Sequence, residues 1–289
     1  MLTLDINSSV EINKRLIKAF SVSALKEVFN LNEYKEKQAE LVERIIETTS
    51  VTIINQTVFN NFSLLKQHVY LFDFLGIIAD SWLDNHPCFH SKNRISNSHS
   101  VYNLLFPVTI EFFNKTSRTI QNIQFIIPVQ INKKNTKLII HINILERDVS
   151  AIIEDKVIST TRDFNDDTIL NSIIQSANPA RLTKSDLNRG IKKLWEDDEV
   201  DAFKVKFKKS KSTSMEIMDE DKLLKRDMPA VYKELIKTPL IQTTFKVLKQ
   251  NNLLNYFVVD PTKGVFYFSI YPQHHNGIND LIDLVLTNN

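Results

Sequence analysis

Three groups of residues in this 289-residue chain are of types that do chemistry. The first is Asp201 with the downstream Glu220, Asp221 and Lys222, a loose Asp…Glu-x-Lys pattern. Carboxylates so arranged hold magnesium for phosphodiester cleavage. That chemistry usually sets Glu-x-Lys on a buried strand, and the run from Met218 to Lys222 is too polar for one. The second group is His86, Cys88 and His90, with His99 nine residues beyond the last. Imidazole and thiolate suit zinc, but the i, i+2, i+4 spacing lacks the paired arrangement of a strong zinc site. Cys88 has no lysine or arginine within three residues, so nothing local lowers its pKa and a nucleophilic role is not expected. The third group runs from Ala202 to Lys211. Phe203, Val205 and Phe207 alternate with Lys204, Lys206 and Lys208, and Lys209 and Lys211 follow. On a strand the three apolar side chains turn inward. The lysines then form a basic ridge about 13 Å long, at ~3.3 Å per residue. Such a ridge tracks phosphates and releases their counterions, and Ser210 to Ser214 would add hydroxyl contacts. The same lysines on an edge strand would block edge-to-edge pairing instead, and the acidic residues from Glu196 to Asp201 lie close enough to pair with them.

The elements that must position these groups read as follows. Ser8 and Glu11 form a capping box ahead of a helical stripe of Val10, Ile12, Leu16, Ile17 and Phe20. Ser21 or Ser23 caps a second helix, and a third begins between Glu33 and Lys37. Residues 51–65 fit helix or strand. His68 to Phe74 is extended, and residues 85–100 read as a loop. Strand-like runs cover 104–113, 120–131 and 137–145, with short turn-like separators, so they form an antiparallel meander. Pro107 and Pro128 cannot donate to a ladder and are expected at edge positions or bulges. A helix starts at Asn165 or Asp167, Asn178-Pro179 breaks it, and Ser185 caps another running to Trp195. After the basic strand, a polar loop reaches Glu220, and Pro229 and Pro239 each open a helix. Tyr256 to Asp260 and Val265 to Tyr271 flank Pro261 to Gly264, a hairpin in which glycine supplies positive φ. Asn279 to Leu286 is a last helix.

Residues 21–47 resemble a SAP-type helix–loop–helix DNA-binding motif. Val22, Leu25 and Lys26 carry the likeness in the first helix. Lys37 and the run Gln38 to Ile45, with Leu41 and Arg44, carry it in the second. The family's interhelical loop usually contains glycine, whereas Leu31 to Tyr34 has none. The resemblance implies DNA binding with little sequence preference, through Lys26, Lys37 and Arg44. A plain helical hairpin packed on the rest of the fold is the alternative, with Leu25, Leu41 and Ile45 as its apolar seam.

Composition narrows the rest. The four glycines are Gly76, Gly190, Gly264 and Gly277, and the closest pair is 13 positions apart. Dinucleotide fingerprints, Walker A loops and nucleophile elbows need glycines close together, so all three are excluded. The single cysteine rules out an intrachain disulfide and a multi-cysteine zinc site, and fits a reducing, cytoplasmic setting. Met1 to Ser8 lacks the basic start of a signal peptide, and no apolar run is long enough to span a membrane. Net charge is +2, so any polyanion must be met by local patches. The fold class expected is α+β: an N-terminal helical segment (1–50), an antiparallel β-meander region (51–160), and a C-terminal region (161–289) of helices with a basic strand and a hairpin. The last two regions can share one core. The functional expectation is a non-enzymatic protein that binds the phosphate backbone of DNA or RNA, without cofactor or metal. Its contacts are Lys26, Lys37, Arg44, Lys204, Lys206, Lys208, Lys209 and Lys211. The alternative is a protein-interaction or scaffold subunit, self-association included, and a metal-dependent nuclease ranks third. Basic features gathered on one face favour the first reading; divergent ones favour the second.

Overall fold

The computed structural model describes residues 6–145, 156–162, 165–177, 182–208, 214–218, 222–249 and 254–289. Alternation of apolar and polar residues builds most of the strands. They are β1 (Gln67–Phe74), β2 (Phe89–Ser96), β3 (His99–Asn114), β4 (Thr119–Lys134), β5 (Lys137–Asn143), β6 (Val157–Arg162), β7 (Leu182–Lys184), β8 (Val200–Lys208), β9 (Ser214–Met218), β10 (Leu240–Val247), β11 (Tyr256–Asp260) and β12 (Val265–Phe268). All belong to one sheet of order β2-β3-β4-β5-β1-β12-β11-β10-β8-β9, with β6 added to β3 and β7 to β1. Every pairing in it is antiparallel. The helices are α1 (Ile6–Ile17), α2 (Val22–Val28), α3 (Gln38–Thr48), α4 (Val51–Asn60), α5 (Asp166–Ser176), α6 (Asn188–Glu196), α7 (Leu224–Asp227), α8 (Pro229–Leu235) and α9 (Gly277–Thr287). The chain is an α+β protein in which helices at both ends enclose a sheet.

The register divides the sheet into two faces. Leu104, Val129, Ile142, His68, Tyr267, Val258, Thr244, Lys204 and Met218 stand directly opposite one another in turn, across nine strands, and so share one face. At the β3 end this row is buried beneath Ile169, Leu170 and Ile173 of α5 and beneath Ile78 and Leu83 of the segment after β1. At the β9 end no helix among the described residues lies over it, and Met218 is 53 % exposed. The opposite face carries Val69, Phe266, Val259, Phe245 and Val205, packed by Trp195 and Leu194 of α6 and by Ile278, Leu281 and Val285 of α9. On that same side α1 to α4 form their own cluster around Phe20, Leu25, Ile45 and Phe62, and they rest on β4 and Leu105. Among the described residues, no helix is long and apolar enough to cross a membrane.

Several expectations need correction. Residues 89–96 pair with β3 as an edge strand, not a loop, although both of its faces are polar and largely exposed. Residues 214–218 form β9 where a loop was expected, because β8 offers them a ladder. Pro239 does not open a helix: it precedes β10, whose Leu240, Thr243, Phe245 and Val247 line up with β8 through a bulged register. Ser185 does not cap α6; Leu187 holds that position, and the Ser185 hydroxyl is buried without a partner among the described residues. Ser8 and Glu11 lie inside α1 rather than at its start. Other expectations match. Residues 51–60 resolve as helix α4. Pro107 lies on β3 between the stretches paired to β2 and β6, and Pro128 lies one residue before β4 meets β5. Each proline therefore sits where a ladder has stopped. The break at Asn178-Pro179 falls outside the described residues.

Candidate nucleic-acid interface

β8 carries the basic run and is not an edge strand: β10 pairs with one side of it and β9 with the other. The expected stripe of Phe203, Val205 and Phe207 is interrupted. Phe245 stands opposite Ala202 and Thr244 opposite Lys204, which leaves Phe203 as the extra residue of a bulge. A bulge re-aims a side chain. Val205 is fully buried and Phe207 packs against the core beneath the sheet. Phe203 instead joins the lysine side and meets the Tyr256 ring edge-on, with centroids 5.8 Å apart. So Phe203 is not a core residue, and the reason is register rather than hydrophobicity.

Lys204 and Lys206 point to the uncovered face, half-exposed. Glu216 of β9 stands directly opposite Lys206, and its Oε1 lies 2.7 Å from Lys204 Nζ. That bond holds the Glu216 carboxyl below the ordinary carboxylate range. One anion therefore sits within the ridge and partly neutralises it. Lys208 is the last residue of β8, while Lys209 and Lys211 fall outside the described residues.

The ridge borders a groove on the same face, with a cavity of about 460 Å³. Thr244, Val258 and Tyr267 form its floor, Phe203 and Tyr256 one wall, and Leu223 and Arg226 another. Lys222, Lys246, Ser269 and Ile270 complete the rim. Lys246 is exposed and has no ion-pair partner among the described residues. Arg226 bonds its neighbour Asp227 through Nε and Nη2 at 2.9 and 3.0 Å, yet its side chain is 68 % exposed. Exposed pairs of this kind are weak and exchange readily. Sequence reasoning missed the groove, because its residues come from four strands and the segment around α7. The one available signal was Tyr256, an aromatic residue in a short strand with lysines on either side of it in the chain.

Asp201 is buried and held by hydrogen-bond donors. Its Oδ1 accepts bonds from Trp195 Nε1 (2.8 Å), the Ala202 amide (2.8 Å) and the Lys225 amide (3.0 Å), and its Oδ2 from the Arg226 amide (3.2 Å). These four bonds satisfy the buried carboxylate and anchor α7, from which Arg226 reaches the groove. Glu220 falls outside the described residues. His86, Cys88, His90 and His99 do not converge. His86 accepts the Cys88 amide at Nδ1 and donates from Nε2 to Ser172, while His90 stacks on Phe59. Burial pushes the Cys88 thiol up in pKa, away from thiolate chemistry. Among the described residues no three His, Cys, Asp or Glu side chains gather as a metal site.

The helix pair forms as a hairpin. Ser21 caps α2 through the Ala24 amide, and Glu40 reaches back to the Lys37 amide at 3.0 Å to start α3. Leu25, Leu41 and Ile45 are all buried. Its cations are partly spent: Arg44 bonds Glu36 and lies over the Tyr34 ring at 4.2 Å. Lys26 is half-buried and Lys37 exposed. Because α1 to α4 rest on the other face of the sheet, Lys26, Lys37 and Arg44 do not share a surface with Lys204 and Lys206.

A polar cluster missed from sequence closes the far end of the groove's floor. Asp166, at the first turn of α5, accepts from the Tyr70 hydroxyl at 2.7 Å and lies 2.6 Å from His68 Nδ1. Burial and that bond keep the Tyr70 phenol protonated far above its ordinary range. His68 also meets the ring of Tyr267 edge-on, so the cluster pins the floor of the groove to α5. No family model matches the chain, and comparison with curated proteins finds no match.

Proposed function

We propose that the protein is a non-enzymatic nucleic-acid-associated protein whose ligand lies along the uncovered face of β8 to β12. Lys204, Lys206, Lys246 and Arg226 contact phosphates there, and Lys208, Lys209 and Lys211 extend the track. The observation that carries this reading is coincidence of place. The ridge lysines and the aromatic groove occupy the same stretch of sheet, which among the described residues is met only at its border by the segment around α7, whereas α5 and the segment after β1 pack on the β3 end of that face. Lysines are point charges without a bidentate fork, so such a surface holds a backbone and reads few bases. A second reading, a protein-interaction subunit, gains from the divergence of the two basic features, which lie on opposite faces of the sheet, and it is favoured most at the helix pair. There Glu27, Glu33, Glu36, Glu40, Glu43 and Glu47 outnumber Lys26, Lys35, Lys37 and Arg44, so that surface suits a protein better than a polyanion. Charge reversal separates the two. Lys206→Glu with Lys246→Glu should abolish binding to DNA and RNA, and Lys26→Glu with Lys37→Glu should leave it unchanged. The reverse pattern, or a wild-type protein that binds neither polymer, would refute the assignment.

A further inference from the structure

We infer that the groove receives an unpaired base, so that the ligand of the open face is single-stranded. This inference rests on the phosphate-binding reading of that face and adds what the groove itself selects. Three observations carry it. The bulge in β8 turns Phe203 out of the core, where its neighbours Val205 and Phe207 lie, and toward Tyr256. Tyr256 keeps 41 % of its surface in solvent although it is a large aromatic residue in a strand. Between them and the Tyr267 ring lies a cavity of about 460 Å³, in the size range of small-ligand sites. Flat aromatic walls above a strand floor, with cations at the rim, match the way single strands are held. Each base lays its face on a ring and each phosphate meets a cation. A duplex keeps its base faces stacked on one another and offers only its backbone and the base edges in its grooves, so it leaves such a slot empty. The Thr244 and Ser269 polar groups at the floor and rim give a bonded edge to whichever base enters, consistent with low sequence preference.

The test measures anisotropy of three labelled ligands of equal length: an oligodeoxythymidylate, an abasic strand with the same phosphates, and a duplex. Wild-type protein should bind the oligodeoxythymidylate about five- to 150-fold more tightly than the abasic strand, the contribution of one stacked base. Tyr256→Ala should remove that advantage and leave abasic and duplex binding unchanged. Because Tyr256 is exposed, the variant should fold; Tyr256→Leu, which keeps apolar bulk but not a flat ring, should behave the same. Equal, salt-sensitive affinity for all three ligands would overturn the base slot while leaving the phosphate surface standing. A single-strand advantage untouched by both variants would also overturn it. Absence of binding to any of the three would remove both readings.

Discussion

Acid should weaken this protein through one buried histidine. His141 on β5 is 3 % exposed and meets the ring of Phe62 edge-on. Its Nδ1 stands 2.7 Å from Gln67 Oε1, so Nδ1–H donates, and its Nε2 accepts from Asn132 Nδ2 at 3.1 Å. Both ring nitrogens are thus committed to the neutral form. No carboxylate is among these partners, and burial lowers the pKa from the ordinary 6.5 to about 4. The unfolded chain binds a proton near pH 6.5 and the folded chain does not until about pH 4, so stability falls with pH inside that window. A shift of two and a half units at ~1.4 kcal/mol each amounts to about 3 kcal/mol. It is fully present above pH 6.5, lost progressively down to pH 4, and constant below. Burial also lowers the pKa of His86 and His90, so wild type alone does not isolate the effect. The assay is therefore urea unfolding of wild type and His141→Gln at pH 7, 6, 5 and 4. The variant is weaker at neutral pH, because its shape differs. The quantity that matters is the difference between the two curves, which should shrink by about 3 kcal/mol on acidification. Parallel curves would mean that His141 titrates alike in both states, and the account of its burial would fail.

Three further outcomes follow from named contacts. Gly264 holds φ +63°, and an added Cβ would lie 2.6 Å from the Ser185 carbonyl oxygen and 2.8 Å from that of Leu71, so Gly264→Ala should cost at least about 2 kcal/mol in chemical denaturation. A loss under about 0.5 kcal/mol would contradict the turn geometry. Leu41, fully buried at the base of α3, should cost about 2–5 kcal/mol as Leu41→Ala; an unchanged unfolding midpoint would deny the helix pair its place in the core. Glu216→Gln frees Lys204 and removes the anion opposite Lys206, so nucleic-acid affinity should rise and the log–log salt slope steepen by up to about one unit. Weaker binding by this variant would show that Glu216 helps the ligand rather than competing with it.

The amphipathic elements were legible because burial repeats at fixed periods. Tyr102, Leu104, Phe106, Val108, Ile110 and Phe112 are buried at every second position of β3, Leu25 and Ile45 mark the helix seam, and Gly264 marks the last turn. Elements stabilised mainly by a neighbour were not. β2 carries Ser91, Lys92, Asn93 and Arg94 and owes its extension to pairing with β3. β10 contains Thr243 and Thr244 behind a proline that reads as a helix start, and it becomes a strand because β8 and β11 flank it. The groove was hidden for a stronger reason. Residues 203–207 alternate without a flaw, and only the count of partners on β10 shows that Phe203 leaves the stripe. Asp201 reads from sequence only as a carboxylate of a loose Asp…Glu-x-Lys pattern. It is buried, and it accepts bonds from amides that no local pattern foretells.

The most direct test of the phosphate surface is the salt dependence of binding for wild type and for a Lys204→Ala, Lys206→Ala, Lys246→Ala triple variant. Log affinity against log salt should be linear and steep for wild type on single-stranded and duplex DNA. Loss of three phosphate contacts should flatten the slope by up to about two units on the single strand and nearly three on the duplex. Equal affinities and equal slopes for the two proteins would contradict the account, as would a wild-type protein that binds neither ligand.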